Sequence, residues 1–189
     1  MTPDPGHDPP AAVLFDRDGT LVVDVPYNAD PGQVQPVPGA VRALAVLHAA
    51  RIPVGVITNQ SGIARGLISP ARADAVNAWV DALLGPFAVW RMCPHEPADD
   101  CSCRKPRPGM VLSAAAELGV VPERIAVIGD IGADVAAAEA AGATGVLVPT
   151  SVTRVEEVRA ARVVEPDLLT AVRYLLGARC LLGARGTAA

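Results

Sequence analysis

Aromatic side chains make up only 3% of this 189-residue sequence. A single-stranded nucleic acid would therefore find no row of rings to stack on. Lysine is nearly absent: Lys105 is the only one among 16 basic residues. There is no long basic stripe, and the formal net charge is −4. Nucleic acid and anionic membrane surfaces are poor partners for such a chain. No window of about 18 residues is apolar without charge, so no membrane span is expected. The most apolar stretch, 125–148, is broken by Asp130, Asp134 and Glu139. Residues 1–10 carry no Lys or Arg and lack the charged-then-apolar order of a signal peptide. They read as a disordered leader. Three of the four cysteines fall within residues 93–103. That clustering argues for metal binding in a reducing cytoplasm over a disulfide framework.

What the chain does have is apolar content, 51%, much of it Ala and Val. This suits one compact domain, expected over residues 11–177. The C-terminal stretch 178–189 is expected to be weakly ordered. Within it, Leu181-Leu182-Gly183-Ala184-Arg185 repeats Leu175-Leu176-Gly177-Ala178-Arg179, and Cys180 reads as an unreactive thiol.

Short apolar runs at 11–15, 53–57, 87–92, 124–128 and 144–148 read as buried strands. Between and after them, 38–51, 69–84, 108–118, 133–141, 155–161 and 166–176 read as helices. Ser69 can cap the second helix, Pro70 suits its first turn, and Gly119 and Gly142 stop later ones. Val163-Val164 is an edge-strand candidate. Strands alternating with helices predict a parallel sheet covered on both faces.

Sites on such sheets form at the carboxyl ends of strands. The polar residues there are Asp16 and Asp18, then Thr58 and Asn59, then Asp130. Asp16-Arg17-Asp18-Gly19-Thr20 is the strongest motif. One carboxylate can attack phosphorus, and the other can protonate a leaving oxygen and then activate water. Gly19 permits the turn that aims both. Carboxylates repel a phosphate dianion, so a cation is needed. Asp16, the backbone carbonyl of Asp18 and Asp130 offer magnesium the oxygen ligands it prefers. Asp134, one helical turn after Asp130, can support that site indirectly or simply sit near a helix N-terminus. The Thr58 hydroxyl and Lys105 can meet phosphoryl oxygens, and Arg104 another anionic or hydroxyl group.

Cys93, His95, Cys101 and Cys103 form a Cys-x-His-x5-Cys-x-Cys pattern, four ligands that suit tetrahedral zinc. With no position visibly open, the zinc is expected to be structural. It would fix the loop that carries Arg104 and Lys105.

Taken together, these residues resemble the haloacid dehalogenase (HAD) superfamily, in its capless subfamily IIIA. The likeness rests on Phe15-Asp16-Arg17-Asp18-Gly19-Thr20-Leu21, Thr58-Asn59-Gln60-Ser61-Gly62-Ile63, the zinc loop with Arg104-Lys105-Pro106, and Gly129-Asp130. The resemblance implies a Rossmann-like three-layer α/β sandwich with a mostly parallel sheet. It implies Asp16 as nucleophile, Asp18 as general acid and base, and Thr58 and Lys105 as phosphoryl stabilisers. Arg104, Asp24, Tyr27, Asn59, Gln60 and Ser61 would contact substrate. Magnesium would lie on Asp16, Asp18 and Asp130. Motif spacings of 42 and 47 positions, already filled by helices and strands, leave no room for a cap domain.

The implied activity is a magnesium-dependent phosphatase acting as a monomer on a small phosphorylated metabolite. A heptose 1,7-bisphosphate is favoured over histidinol phosphate or another small phosphomonoester. A phosphate-accepting receiver module and a zinc-stabilised interaction module are the other classes. Ile131 stands where the heptose-bisphosphate and histidinol-phosphate phosphatases of this family usually carry a basic residue after the Gly-Asp pair, and this bears on substrate choice.

Overall fold

The computed structural model describes residues 8–177. The expectations for residues 1–7 and 178–189, Cys180 included, lie outside the described residues. Pro10 is buried, and the Pro9 carbonyl accepts a hydrogen bond from Arg124 Nη2 at 3.1 Å.

Among the described residues, five strands and six α-helices follow the expected alternation. They are β1 (Ala12–Phe15), α1 (Ala40–Ala49), β2 (Val54–Asn59), α2 (Pro70–Leu84), β3 (Val89–Cys93) and α3 (Gly109–Leu118). After these come β4 (Ile125–Gly129), α4 (Gly132–Ala141), β5 (Thr144–Leu147), α5 (Val155–Ala160) and α6 (Leu168–Leu175). The Ser69 side chain caps α2 by accepting from Arg72 N. Gly119 and Gly142 close α3 and α4 in the left-handed conformation that glycine adopts without strain.

The strands pair in the order β3-β2-β1-β4-β5, all parallel. The order reverses at β1, so its carboxyl end lies beside those of β2 and β4, where open parallel sheets form their clefts. The edge strand expected at Val163-Val164 reduces to one bridge, Leu147 with Val164. Pro166 follows almost at once and has no N–H to extend the ladder.

Alternation along β1 builds the three layers. Val13 and Phe15 join the core beneath α1, α2 and α6. Ala12 and Leu14 join a second core beneath α3 and α4, which is lined by alanines. Small side chains there let the helices lie close to the sheet. No helix among the described residues is long and apolar enough to cross a membrane, and no further domain interrupts them.

Candidate active site

Asp16 follows the fully buried β1, and its backbone N–H donates to Ile128 O on β4 at 3.0 Å. Its Oδ1 accepts from Lys105 Nζ at 2.6 Å. The same ammonium donates to Ile57 O, within the second half of β2, 2.9 Å away, and lies 2.6 Å from Asp134 Oδ1. The Asp134 contact is an ion pair without hydrogen-bond alignment. Gly129 makes the arrangement possible, because a Cβ there would collide with the Asp134 side chain.

Asp16, Asp130 and Asp134 bring carboxylate oxygens within 4.8 Å of one another, all buried. Three carboxylates face one ammonium, so negative charge is in excess. Burial first, then Asp134 and Asp18, push Asp16 above the usual carboxylate range, while Lys105 opposes them. Burial and then Asp134 push Asp130 up to about 6. Burial alone would lower Lys105, but Asp134 and Asp16 outweigh it and raise its pKa. A buried set of oxygen donors with surplus negative charge is the environment a hard divalent cation relieves.

Gly19, at φ +79°, turns the chain back so tightly that any Cβ there would strike the Asp130 carboxylate. Thr20 Oγ1 donates to Asp130 Oδ1 at 3.3 Å. Asp18 lies at the turn, about a quarter exposed, and its carboxylate is held from two sides. Arg17 donates to both of its oxygens, Nε to Oδ1 at 3.0 Å and Nη2 to Oδ2 at 2.8 Å. Gln60 Nε2 donates to Asp18 Oδ2 at 2.7 Å and to Thr58 Oγ1 at 2.9 Å. Asn59 exchanges two hydrogen bonds of 3.2 Å with the backbone of Lys105, tying β2 to the cysteine loop.

These groups floor a cleft of about 330 Å³. Asp16, Asp18, Asp24, Tyr27, Asn59, Gln60, Ser61, Lys105 and Asp130 all line it, as does Ile131. Burial and Asp18 raise the pKa of Asp24. Thr58, 1% exposed, lies behind Gln60. Arg104 lies outside this lining. Its Nη1 donates to His95 O at 3.1 Å, and its side chain borders a separate hollow with Pro97 and Arg107. Among the described residues, a larger hollow between α4 and α5 carries no comparable cluster.

Cys93 ends β3, and His95, Cys101 and Cys103 fold back onto it. Sulfur–sulfur distances are 3.2, 3.4 and 3.6 Å, and His95 Nδ1 lies 3.3 Å from Cys103 and 3.6 Å from Cys93. A tetrahedral zinc with Zn–S bonds of about 2.3 Å needs edges of about 3.8 Å. The four donors therefore fit that ion with a slight outward shift. Burial and the Cys103 thiol raise Cys93 to about 12. Burial also opposes ionisation of Cys101, but hydrogen bonds from the Arg104 backbone and the adjacent thiols bring it down to about 7.

Sequence reasoning missed Arg17, Thr20, Thr153 and Asn77, whose Oδ1 accepts from Arg17 Nη1 at 2.6 Å, as parts of this site. Thr153 Oγ1 donates to the Asp130 carbonyl at 2.6 Å from the loop after β5. Arg17 and Thr20 lay within the quoted motif, and strand alternation could have flagged Arg17 as inward-pointing. Nothing local marks Asn77 or Thr153.

The HAD-hydrolase-like family matches residues 102–174. The D-glycero-β-D-manno-heptose-1,7-bisphosphate 7-phosphatase of Pseudomonas putida is 40% identical over 143 residues, covering 73% of this chain and 82% of that protein. The Vibrio cholerae enzyme of the same name is 36% identical over 177 residues, covering 87% and 95%. Among solved structures, D,D-heptose 1,7-bisphosphate phosphatase from B. bronchiseptica, complexed with magnesium and phosphate, superposes with a TM-score of 0.78 at 31% identity. That match covers 87% of this chain and 98% of the other. With the parallel sheet, the Asp16 cluster and these relatives in agreement, the chain belongs to the haloacid dehalogenase-like family of phosphatases.

Proposed function

We propose that this protein is a magnesium-dependent phosphatase that removes the 7-phosphate of D-glycero-D-manno-heptose 1,7-bisphosphate through an aspartyl phosphate on Asp16. The observation that carries this reading is the buried cluster of Asp16, Asp130, Asp134 and Lys105 under a cleft, with Asp18 at its mouth. The relatives named above support the substrate.

A carboxylate oxygen of Asp16 attacks phosphorus, and the bond from phosphorus to the sugar oxygen breaks. Asp18 gives that oxygen its proton. Asp18 then takes a proton from water as the water oxygen attacks the same phosphorus. The bond to Asp16 breaks, inorganic phosphate leaves, and both carboxyl groups return to their starting states. Lys105 holds the phosphoryl oxygens as charge shifts between them, and Thr58, set back behind Gln60, would reach them only if Gln60 shifts. Magnesium, held by Asp16, Asp130 and the Asp18 carbonyl, would offset the repulsion between phosphate and carboxylates. Asp134 acts through Lys105, with which it is paired.

Asp24, Tyr27, Asn59 and Ser61 line the walls that would meet the sugar. Both amide protons of Gln60 are committed to Asp18 and Thr58, so its part is to hold them. Arg104 would reach the substrate only by leaving His95 O. Zinc on Cys93, His95, Cys101 and Cys103 would stiffen the loop that delivers Lys105. A thiolate site suits a reducing cytoplasm, and a cleft built from one chain suits a monomer acting on a small metabolite.

The test is a phosphate-release screen with magnesium present, over the heptose bisphosphate, histidinol phosphate and simple phosphate esters. The heptose bisphosphate should have the highest kcat/KM. Faster turnover of histidinol phosphate would overturn the substrate. Stoichiometric labelling without repeated turnover would make the protein a receiver.

A further inference from the structure

Arg17 is 1% exposed and is the largest fully buried side chain among the described residues. Burying a guanidinium is costly unless its donors are matched. Here three are matched: Nε and Nη2 grip the Asp18 carboxylate, and Nη1 donates to Asn77 Oδ1 at 2.6 Å. Asn77 sits mid-way along α2, sixty residues on in sequence. The backbone explains the meeting. Val13 and Phe15 point to the layer that holds α2, and continuing that alternation sends the tip of Arg17 toward Asn77 on α2, although Arg17 also borders the cleft that Asp16 and Asp18 line. The neighbours of Asn77 on α2, Val76 and Val80, belong to that same core. Asn77 Nδ2 in turn rests against Met92 Sδ of β3 at 3.7 Å, which fixes the amide orientation.

We infer that Arg17 and Asn77 are positioning residues, which hold the Asp18 carboxyl group where it can exchange a proton with the leaving oxygen. The inference rests on the reading of Asp18 as the proton-transfer group. A planar fork matches a carboxylate through two parallel hydrogen bonds, which a lysine ammonium cannot reproduce. The fork's own orientation is set by one acceptor, Asn77 Oδ1. Without that acceptor, Nη1 is left buried and unmatched, and the guanidinium is free to rotate and carry Asp18 with it. Asn77 lies outside the cleft lining, and Arg17, which borders the cleft, has its donors turned to Asp18 and Asn77, so the effect of the Asn77 contact falls on the step that needs a well-placed proton.

The experiment compares kcat/KM for p-nitrophenyl phosphate, whose leaving group needs no proton, with that for glycerol phosphate, whose alkoxide does. Asn77→Leu keeps the volume and removes the acceptor. It should lower the alkyl ester about tenfold or more and the aryl ester less than about threefold, a part of the usual worth of general acid catalysis. Asn77→Asp, which restores an acceptor, should bring the ratio back toward wild type, and Arg17→Lys should not. The ratio is taken on one sample, so partial unfolding cancels from it. If Asn77→Leu does not fold, Asn77→Ala is read the same way. Equal losses on both esters, or none, would overturn the inference. Asp18→Asn separates this from failure of the underlying reading. If Asp18→Asn spares the alkyl ester, Asp18 is not the proton donor. If it abolishes alkyl turnover while the Asn77 variants leave the ratio unchanged, only the positioning inference falls.

Discussion

Asp134, wholly buried, lies 2.6 Å from the Lys105 ammonium through its Oδ1. The contact links the helix after β4 to the only lysine in the chain, which also pairs with Asp16. Lys105 is thus shared between the proposed nucleophile and a carboxylate that does not line the cleft. Removing one partner of a buried pair leaves the other uncompensated, at a cost of about 3–5 kcal/mol. Lys105→Met should therefore lower stability by about that much, read in urea unfolding, and abolish phosphate release. Asp134→Asn leaves Lys105 its bond to Asp16 and should keep the fold. By disturbing a residue that supports a metal site, it should weaken magnesium activation about 10–100-fold. Unchanged magnesium dependence would separate Asp134 from the metal site.

The carboxylate cluster also sets a pH dependence. Asp130 is pushed from 3.8 to about 6 in the metal-free protein, and Asp16 is raised as well. A carboxyl group whose folded pKa is raised binds more protons folded than unfolded across that interval. Its stabilising share is present below the unfolded value and is lost as pH rises through the folded one. For Asp130 the swing is on the order of 3 kcal/mol. Without magnesium, Tm should therefore fall as pH rises from about 4 to above 6. Magnesium binds the ionised cluster, so the Tm gain on adding it should be larger at high pH than at low. A magnesium shift independent of pH would contradict this account.

The cysteine loop predicts a separable effect. Cys103 directly precedes Arg104 and Lys105, and Asn59 clamps the Lys105 backbone from the other side. Cys103→Ser should lower the zinc content measured by mass spectrometry and reduce kcat about tenfold or more, as losses of supporting ligands do. The sheet signal in circular dichroism should stay, because β1, β2 and β4 pair without the loop. Loss of zinc with full activity retained would show that the loop does not steady Lys105.

Much of this was legible in the sequence, for local reasons. The strands around Asp16, Thr58 and Asp130 are short apolar runs that end on polar residues. Ser69, Gly119 and Gly142 carry the chemistry of helix ends, and the four zinc-type ligands sit within eleven residues. The illegible parts are contacts between distant segments. Arg17 finds Asn77 only because α2 covers the odd-numbered face of β1. Thr153 reaches the Asp130 carbonyl from a loop with no motif. The side-chain direction of Arg104 depends on the fold-back of the loop onto His95, and spacing does not encode it.

Ile131 offers the sharpest test of substrate choice. It lines the cleft directly after Asp130, in an extended backbone conformation that any residue adopts. The two cations lining that cleft, Arg17 and Lys105, are both engaged by carboxylates. A second phosphate bound on this side of the cleft would meet apolar Ile131 and Val152. Ile131→Lys adds a flexible cation there. Its cost at the α4 N-terminus is about 0.3–1 kcal/mol from the helix dipole, small beside the gain from pairing with a phosphate dianion. The substitution should raise kcat/KM for a sugar bisphosphate about tenfold, mainly through KM, because the contact is made equally in ground and transition states. The matching monophosphate has nothing for the new ammonium to hold and should change less than about twofold. Equal gains on both esters would mean that the lysine acts on the scissile phosphate, and that the second phosphate lies away from position 131.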